Sequence, residues 1–237
     1  MHLFYIANIN SEKIQLSEEE SKHALRVLRL NQGDRVGLLD GTGGFYAAVI
    51  IEAHPKRCLL KIISRKQEYG YKPYKIKIAV APTKNLDRME WFVEKATEMG
   101  IDEISFLLCE RSERKTVNLD RLDKIIVSAM KQSVKAYKPV LQDMISFQEY
   151  IKQITGTDTY IAHLEEHQQL PLHQVNPTTS VCVLIGPEGD FSPAEIAMAY
   201  AAGIKPVTLG SSRLRTETAA LAACHTLNLL HEMKKDK

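Results

Sequence analysis

Long apolar runs are missing from this 237-residue sequence, and none approaches the length that crosses a bilayer. The first residues lack a basic segment followed by an apolar core, so we expect no signal peptide. Cysteine occurs only four times, and no pair has the spacing of metal ligands. We therefore expect a cytoplasmic protein without a membrane span, whose cysteines are reduced core residues: Cys58, Cys109, Cys182 and Cys224.

Three common fingerprints of nucleotide and hydrolase sites are also absent. The sequence has no G-x-G-x-x-G that opens a βαβ unit, no phosphate-binding P-loop and no G-x-S-x-G. Three histidines, His163, His167 and His173, raise the alternative of a metal site. Their Gln, Pro and Asn neighbours are typical of an exposed loop, so we predict that no metal is bound.

Positive charge is unevenly distributed, although the net charge is only +2. Residues 56–88 contain ten Lys/Arg and two acids, whereas residues 141–204 contain one Lys and eight acids. Such an excess of cations is typical of a surface that binds a polyanion, and we expect nucleic acid. A solvated face with no partner is the alternative.

Short segments rich in β-branched residues make up the first part of the chain. They predict strands at residues 2–9, 35–40, 44–53 and 58–64, separated by turns with Gly or Pro. A capping box formed by Ser17 and Glu20 predicts a helix over residues 17–28. Short strands of this kind indicate a small β-barrel or a meander.

The segment 67–73 has the composition of a linker. We therefore predict one domain over residues 1–70 and a second over residues 74–237.

Strands and helices alternate in the predicted second domain, which indicates βαβ units around a parallel sheet. Asp87 and Glu90 are expected to cap one helix, which ends at Gly100, and Asn118 to cap another. The predicted strands are 75–81, 104–109, 159–163, 181–185 and 206–209, and the predicted helices are 87–98, 118–136, 146–154, one from Pro193 and 217–233.

Two similar segments near the C-terminus each combine a strand, a loop with glycine and a helix start. The first, residues 184–195, has Ser192, Pro193 and Glu195 in the pattern of a capped helix start. The second, residues 209–219, leads into an Ala-rich helix that Thr216 is expected to cap. Loops at the carboxyl ends of neighbouring strands are where open α/β sheets bind ligands. Ordinary strand-to-helix turns are the alternative.

These segments carry the sequences Gly-Pro-Glu-Gly at 186–189 and Leu-Arg-Thr-Glu-Thr-Ala at 214–219. Together with residues 23–30, 84–100 and 132–135, they resemble the RsmE family of SPOUT-superfamily methyltransferases, which methylate N3 of a uridine in 16S ribosomal RNA. The resemblance covers nearly the whole chain. A non-catalytic RNA-binding protein and a small-molecule α/β enzyme are the other classes considered.

The resemblance implies a fold and a set of binding residues. It implies an α/β protein with an N-terminal PUA-like RNA-binding β-barrel, a SPOUT domain with a C-terminal trefoil knot, and S-adenosylmethionine as cofactor. The expected cofactor-binding residues are Leu164, Leu184, Ile185, Gly186, Pro187, Glu188, Gly189, Leu209, Gly210, Leu214, Arg215 and Thr216.

The expected partner is the 16S ribosomal RNA of the small ribosomal subunit. The predicted RNA-binding residues are Arg26, Arg29, Lys84, Arg88, Gln132, Ser133 and Lys135. Arg26 and Arg29 are three residues apart, so a helix would place them on one face. The chain departs from the family pattern at Lys135, where an arginine is usual, and at Ser212-Arg213, where Arg-Ile is expected.

Catalysis at N3 requires that the uridine lose its N3 proton. Glu188 and Glu217 are the candidate bases, and Arg215 is the candidate group that stabilises the uracil anion. For Glu217 the alternative is structural, because a glutamate in a first helical turn is favoured by the helix dipole.

The last predicted helix is apolar around much of its circumference, which indicates burial on more than one side. SPOUT methyltransferases typically pair across the knot, so the resemblance implies a homodimer. Burial by flanking helices of the same chain is the alternative.

Overall fold

The computed structural model describes residues 1–164 and 169–235. The described residues divide into two compact units, the first within Met1–Tyr71 and Val127–Lys138 and the second within Lys72–Ile126 and Pro139–Lys237. No helix in the described part of the chain is long and apolar enough to cross a membrane. All four cysteines are free and buried, as expected, and burial raises the pKa of Cys182 and Cys224 to about 12.

The first unit is built on one mixed five-stranded sheet in the order β1-β3-β4-β5-β2. Strands β1 and β3 are parallel and the other pairs are antiparallel. Strands β1 and β2 are the edges of this sheet, so the described strands form a half-barrel, which agrees in part with the expected small β-barrel. The strands are β1 (Leu3–Tyr5), β2 (Lys13–Gln15), β3 (Arg35–Leu39), β4 (Phe45–Glu52) and β5 (Leu59–Lys66).

The predicted helix over residues 17–28 is interrupted. Ser17 caps it as expected, by accepting a hydrogen bond from the Glu20 backbone, but helix α1 covers only Glu18–Lys22. A π-helical turn follows at His23–Val27, and Arg29 lies beyond it with φ +55°. The expectation that Arg26 and Arg29 share a helical face is therefore wrong, since no α-helix spans both residues.

Residues 127–138 join the first unit in addition to the expected range 1–70. The Gly43 amide donates to the Ala136 carbonyl over 2.9 Å, and the Lys138 amide donates to the Gly41 carbonyl over 2.9 Å. Gly43 has φ +101°, and a Cβ atom there would lie 2.5 Å from the Tyr137 ring. Glycine at this position is thus required both by the backbone and by the packing of Tyr137.

The second unit contains a parallel seven-stranded sheet in the order β10-β12-β9-β11-β6-β7-β8. Strand β9 lies between β11 and β12. The two strands that precede the glycine loops were expected to be neighbours, and this expectation is wrong. The strands are β6 (Lys75–Val80), β7 (Glu103–Leu108), β8 (Val140–Ser146), β9 (Asp158–Ala162), β10 (Leu170–Pro171), β11 (Ser180–Ile185) and β12 (Lys205–Thr208).

The predicted helices are present with altered ends. Asn85, rather than Asp87, accepts the capping hydrogen bond of α2, and Gly100 ends that helix in the left-handed conformation. Ser192 and Glu195 form the expected capping box of α5. The helices are α2 (Leu86–Met99), α3 (Leu119–Ser133), α4 (Phe147–Gln153), α5 (Pro193–Ala201) and α6 (Thr216–Lys235).

Strand β8 was not predicted from the sequence, because its residues lack the continuous apolar pattern of a core strand. It lies at the edge of the sheet, and both Gln142 and Asp143 are exposed. Charged and polar residues are common on edge strands, since they prevent pairing with another chain.

A buried carboxylate organises the turn between β3 and β4. Asp40 is only 8% exposed and accepts hydrogen bonds from the amides of Thr42 and Gly44 and from the Tyr46 hydroxyl, at 2.7, 2.8 and 2.9 Å. Burial by itself would raise the pKa of Asp40, but these hydrogen bonds outweigh it and hold the pKa below its ordinary value.

We predict that Asp40→Asn lowers the free energy of unfolding by about 1–3 kcal/mol at pH 7, because an amide replaces a charged acceptor. A depressed pKa gives stability that is present above the unfolded-state pKa of about 4 and lost as pH falls through the folded-state pKa. The difference in the free energy of unfolding between the wild type and Asp40→Asn should therefore shrink as the pH falls below about 4. Urea unfolding at several pH values measures it, with exposed Asp143→Asn as the control; an equal loss at all pH values would contradict the prediction.

Candidate functional site

A cavity of about 350 Å³ opens at the carboxyl ends of three strands of the second unit. The loop after β9 contributes residues 162–164, and the loop after β11 contributes residues 185–188 and Asp190. The end of β12, its loop and the start of α6 contribute residues 207–210, residues 212–216 and Ala219. A cavity of this size at this edge of a parallel sheet is typical of a small-molecule site.

In the loop after β11, the backbone at Gly186 packs closely against Phe191. A Cβ atom on Gly186 would lie 3.0 Å from the Phe191 amide nitrogen and 3.1 Å from the Phe191 ring. Asp190 has φ +61°, a conformation that costs energy for a residue other than glycine. Strain of this kind is kept where neighbouring contacts fix the backbone.

Two side chains fix this loop. The Arg111 guanidinium donates from Nη1 to the Gly189 carbonyl over 2.9 Å and to the Phe191 carbonyl over 3.3 Å. Asp190 accepts a hydrogen bond of 2.8 Å from the Leu164 amide, which joins the loops after β9 and β11. Neither role was anticipated, because the partners of Arg111 and Asp190 are distant in sequence.

The loop after β12 contains Gly210 at φ +123°, a conformation that favours glycine. Thr216, which was expected to cap α6, is the first residue of that helix. Its Oγ1 instead donates a hydrogen bond of 3.1 Å to the Gly186 carbonyl, and both residues are buried. The capping role is therefore wrong, and the hydroxyl joins the two glycine loops.

Most of the predicted cofactor-binding residues lie around this cavity. Leu184 and Gly189 do not: Leu184 is fully buried in the core of the sheet, and Gly189 contacts Arg111. The predicted residues that line the cavity are Leu164, Ile185, Gly186, Pro187, Glu188, Leu209, Gly210, Leu214, Arg215 and Thr216. The lining residues that sequence reasoning missed are Ala162, His163, Asp190, Val207, Thr208, Ser212, Arg213 and Ala219.

The three candidate catalytic residues occupy different surroundings. Glu188 and Arg215 are exposed and line the cavity, and Glu188 Oε1 accepts a hydrogen bond of 3.0 Å from the Lys84 amide. Glu217 does not line the cavity and is only 7% exposed. Its Oε1 lies 3.8 Å from Arg88 Nε, and its Oε2 has no hydrogen-bond partner among the described residues.

The predicted RNA-binding residues fall in both units. In the first, Arg26, Arg29 and Gln132 are exposed, Lys135 is half-buried, and the Ser133 hydroxyl donates to the Ala129 carbonyl. In the second, Arg88 lies near Glu217, and Lys84 Nζ forms an ion pair of 2.9 Å with Glu113, which raises the pKa of that lysine.

The cationic run of residues 56–88 is not a single surface. Lys72 pairs with Asp102 over 2.9 Å and Lys77 with Glu103 over 3.2 Å, and all four side chains are about three-quarters or more buried. Two of its ten cations, Lys72 and Lys77, are thus engaged in partly buried ion pairs. A count of charges along the sequence does not separate such residues from exposed cations.

Of the three histidines considered for a metal site, the structure describes His163 and His173. Within the described ranges, no cluster of three or more His, Cys, Asp or Glu side chains is placed to hold a metal ion. His163 Nε2 lies 2.8 Å from the Tyr200 hydroxyl, and its ring also contacts Gln169. His167 lies outside the described residues.

Comparison with protein families gives two matches, in agreement with the geometry. Residues 71–228 match the model of an RNA methyltransferase domain, and residues 16–63 match that of an RNA methyltransferase PUA domain.

Several curated relatives match almost the whole chain. The Ribosomal RNA small subunit methyltransferase E of Rickettsia conorii is 30% identical over 93% of this chain and 91% of its own. That of Bacillus subtilis is 28% identical over 92% of this chain and 90% of its own.

Solved structures agree with this similarity. A probable rRNA-methyltransferase from Porphyromonas gingivalis has a TM-score of 0.92 and 41% identity, over 99% of this chain and 100% of that one. A Ribosomal RNA small subunit methyltransferase E from Neisseria gonorrhoeae bound to S-adenosyl methionine has a TM-score of 0.88 and 26% identity, over 97% and 98% of the two chains.

Proposed function

The chain belongs to the ribosomal RNA small subunit methyltransferase E family, and we propose that it methylates N3 of a uridine in 16S ribosomal RNA with S-adenosylmethionine. The cavity formed by the loops after β9, β11 and β12 is the observation that carries this proposal. Residues 1–70 act as the PUA-like RNA-binding domain and residues 74–237 as the SPOUT methyltransferase domain. The knotted threading of the C-terminal segment stays a prediction.

The residues of the cavity suit S-adenosylmethionine. Its volume of about 350 Å³ lies in the range of small-molecule sites, and Leu164, Leu209 and Leu214 offer apolar walls. Gly186 and Gly210 allow a ligand to approach the backbone, whose N–H and C=O groups can recognise the edge of an adenine. When bound, the cofactor supplies an electrophilic methyl group.

The side chains at the cavity suit proton removal from a uridine. Glu188 is an exposed carboxylate at the rim, so it is the preferred base for the N3 proton. Arg215 is a cation at the same cavity, and it stabilises the negative charge that develops on the uracil ring. Glu217 lies outside the lining beside Arg88, which supports a structural role for it.

The RNA chain is bound through cations and polar groups of both units. The residues proposed for these contacts are Arg26, Arg29, Lys84, Arg88, Gln132, Ser133 and Lys135. Lys135 keeps the charge of the arginine usual in the family but lacks its planar fork, so it acts as a point charge toward phosphate. The proposed compartment is the cytoplasm, and no metal is proposed to take part.

The function is tested by mass spectrometry of nucleosides from 16S ribosomal RNA. Deletion of the gene should remove 3-methyluridine, and expression of the wild-type chain should restore it. The Gly186→Val variant should not restore the modification, because its side chain would collide with Phe191 and fill the approach to the backbone. An unchanged 3-methyluridine content after deletion would overturn the assignment of substrate.

The base is tested by a pair of matched substitutions. We predict that Glu188→Gln lowers kcat about 100-fold or more, since the amide keeps the hydrogen bond from the Lys84 amide but cannot take a proton. Glu217→Gln should leave kcat near that of wild type and change the free energy of unfolding instead. Steady-state kinetics and urea unfolding on both variants give the answer; the reverse pattern would make Glu217 the base.

A homodimer through the second unit is also proposed. Leu229 and Met233 lie four residues apart on one face of α6 and are 45% and 59% exposed. Ala223 and Leu227, by contrast, are fully buried within the chain. An exposed apolar face on the last helix suits a twofold partner, because like faces can cover each other.

We predict that the full-length protein is a dimer in sedimentation equilibrium at micromolar concentration. The double variant Leu229→Glu, Met233→Glu should shift it to a monomer, because each charge would have to be buried. Val27→Glu, at an apolar residue 66% exposed in the first unit, is the control and should stay dimeric. A wild-type monomer would refute the dimer.

A further inference from the structure

A second cavity, of about 370 Å³, lies in the second unit where the helices α2 and α3 begin. It is formed by residues 84–87 and Glu90 from the start of α2, and by Arg114, residues 117–118 and residues 121–122 from the start of α3. None of these residues lines the cavity formed by the loops after β9, β11 and β12, which is called the cofactor cavity in this subsection. This second cavity is called the helix-start cavity below.

Both helices present their N-terminal ends to the helix-start cavity. The Asn85 side chain accepts from the Asp87 amide over 2.9 Å, and the Asn118 side chain accepts from the Arg121 amide over 3.0 Å. The N-terminal end of a helix carries a partial positive charge and exposes backbone N–H groups. Two such ends at one cavity make it favourable for an anion.

Three cationic side chains add full charges to the lining. Arg114 donates from Nη2 to the Lys84 carbonyl over 2.6 Å, and Lys84 Nζ pairs with Glu113 over 2.9 Å. The Arg121 guanidinium pairs with Glu90 through Nε at 2.6 Å and through Nη2 at 2.8 Å. Each guanidinium has five N–H donors, so these bonds leave further donors on Arg114 and Arg121 for a ligand.

The carboxylates of the lining do not cancel this preference. Glu90 Oε2 accepts a hydrogen bond from Arg121 Nη2 and Glu90 Oε1 lies 2.6 Å from Arg121 Nε, so this carboxylate orients a cation. Asp87 lies in the first turn of α2, where the helix dipole favours a negative side chain. Lys84, Arg114 and Arg121 against Asp87 and Glu90 give the lining side chains a formal charge of +1, and Glu113, which pairs with Lys84, lies outside the lining.

One hydrogen bond joins the helix-start cavity to the cofactor cavity. The Lys84 amide donates to Glu188 Oε1 over 3.0 Å, and Lys84 lines the former while Glu188 lines the latter. An anion in the helix-start cavity would therefore lie beside the carboxylate at the rim of the cofactor cavity.

We propose that the helix-start cavity binds a backbone phosphate of the RNA substrate close to the target nucleotide, with Arg114 and Arg121 as its main ligands. The proposal rests on the proposed function, which makes RNA the polyanion that reaches this face. Arginine suits the task because its planar fork matches a phosphate group. Held there, the phosphate positions the adjoining base toward Glu188.

The test is binding of single-stranded dodecauridylate to the full-length protein by filter binding at several salt concentrations. Arg114→Ala and Arg121→Ala should each weaken binding about tenfold, the loss of one charge-assisted hydrogen bond. Each should also lower the slope of log affinity against log salt by about 0.7, the value for one phosphate on a single strand. Affinity for S-adenosylmethionine, measured by calorimetry, should not change.

Lys152→Ala is the matched control, because it removes one positive charge from an exposed residue that lines neither cavity. If Arg114→Ala and Arg121→Ala behave like Lys152→Ala, or if the wild-type protein does not bind the oligomer at low salt, the proposal is overturned. Binding of inorganic phosphate alone, without an effect of the two arginines on the oligomer, overturns it as well. The binding measurement does not depend on methyl transfer. A failure of the proposed enzymatic activity would therefore be distinguishable from a failure of the proposed phosphate site.

Discussion

The hydrogen bond from the Thr216 hydroxyl to the Gly186 carbonyl holds together two of the loops that form the cavity at the ends of β9, β11 and β12. Its partners are 30 residues apart in sequence, and both are buried. A buried carbonyl without a donor costs about 1–3 kcal/mol, so this contact strongly favours one position of the α6 start relative to the loop after β11. Glu217, the next residue, is thereby directed toward Arg88 and away from the cavity.

The rest of the site is arranged around that contact. Arg111 donates hydrogen bonds to the carbonyls of Gly189 and Phe191, and the Asp190 carboxylate accepts a hydrogen bond from the Leu164 amide. These bonds compensate the unfavourable backbone conformation of Asp190. A loop held from three directions presents a cavity that is largely formed before a ligand arrives, which reduces the conformational entropy lost on binding.

The order of strands explains why three loops, rather than two, surround the cavity. Strand β9 pairs with both β11 and β12, so the residues after β9 are brought between the two glycine loops. His163 enters the lining in this way, with its ring hydrogen-bonded to Tyr200. The same edge of the sheet carries Glu188, which accepts a hydrogen bond from the Lys84 amide and so joins this cavity to the helix-start cavity.

Most of the strands and helices and both glycine loops could be predicted from the sequence. Periodicity and capping residues such as Ser192 and Asn118 act between close neighbours in the chain, so the alternation of strands and helices was readable, and the glycine motifs marked the cavity loops. Tertiary structure alone decided the order of β9, β11 and β12, the roles of Arg111, Asp190 and Thr216, and the inclusion of residues 127–138 in the first unit. The physical reason is that these features depend on contacts between residues far apart in sequence, whereas capping and periodicity depend on residues within one or two turns.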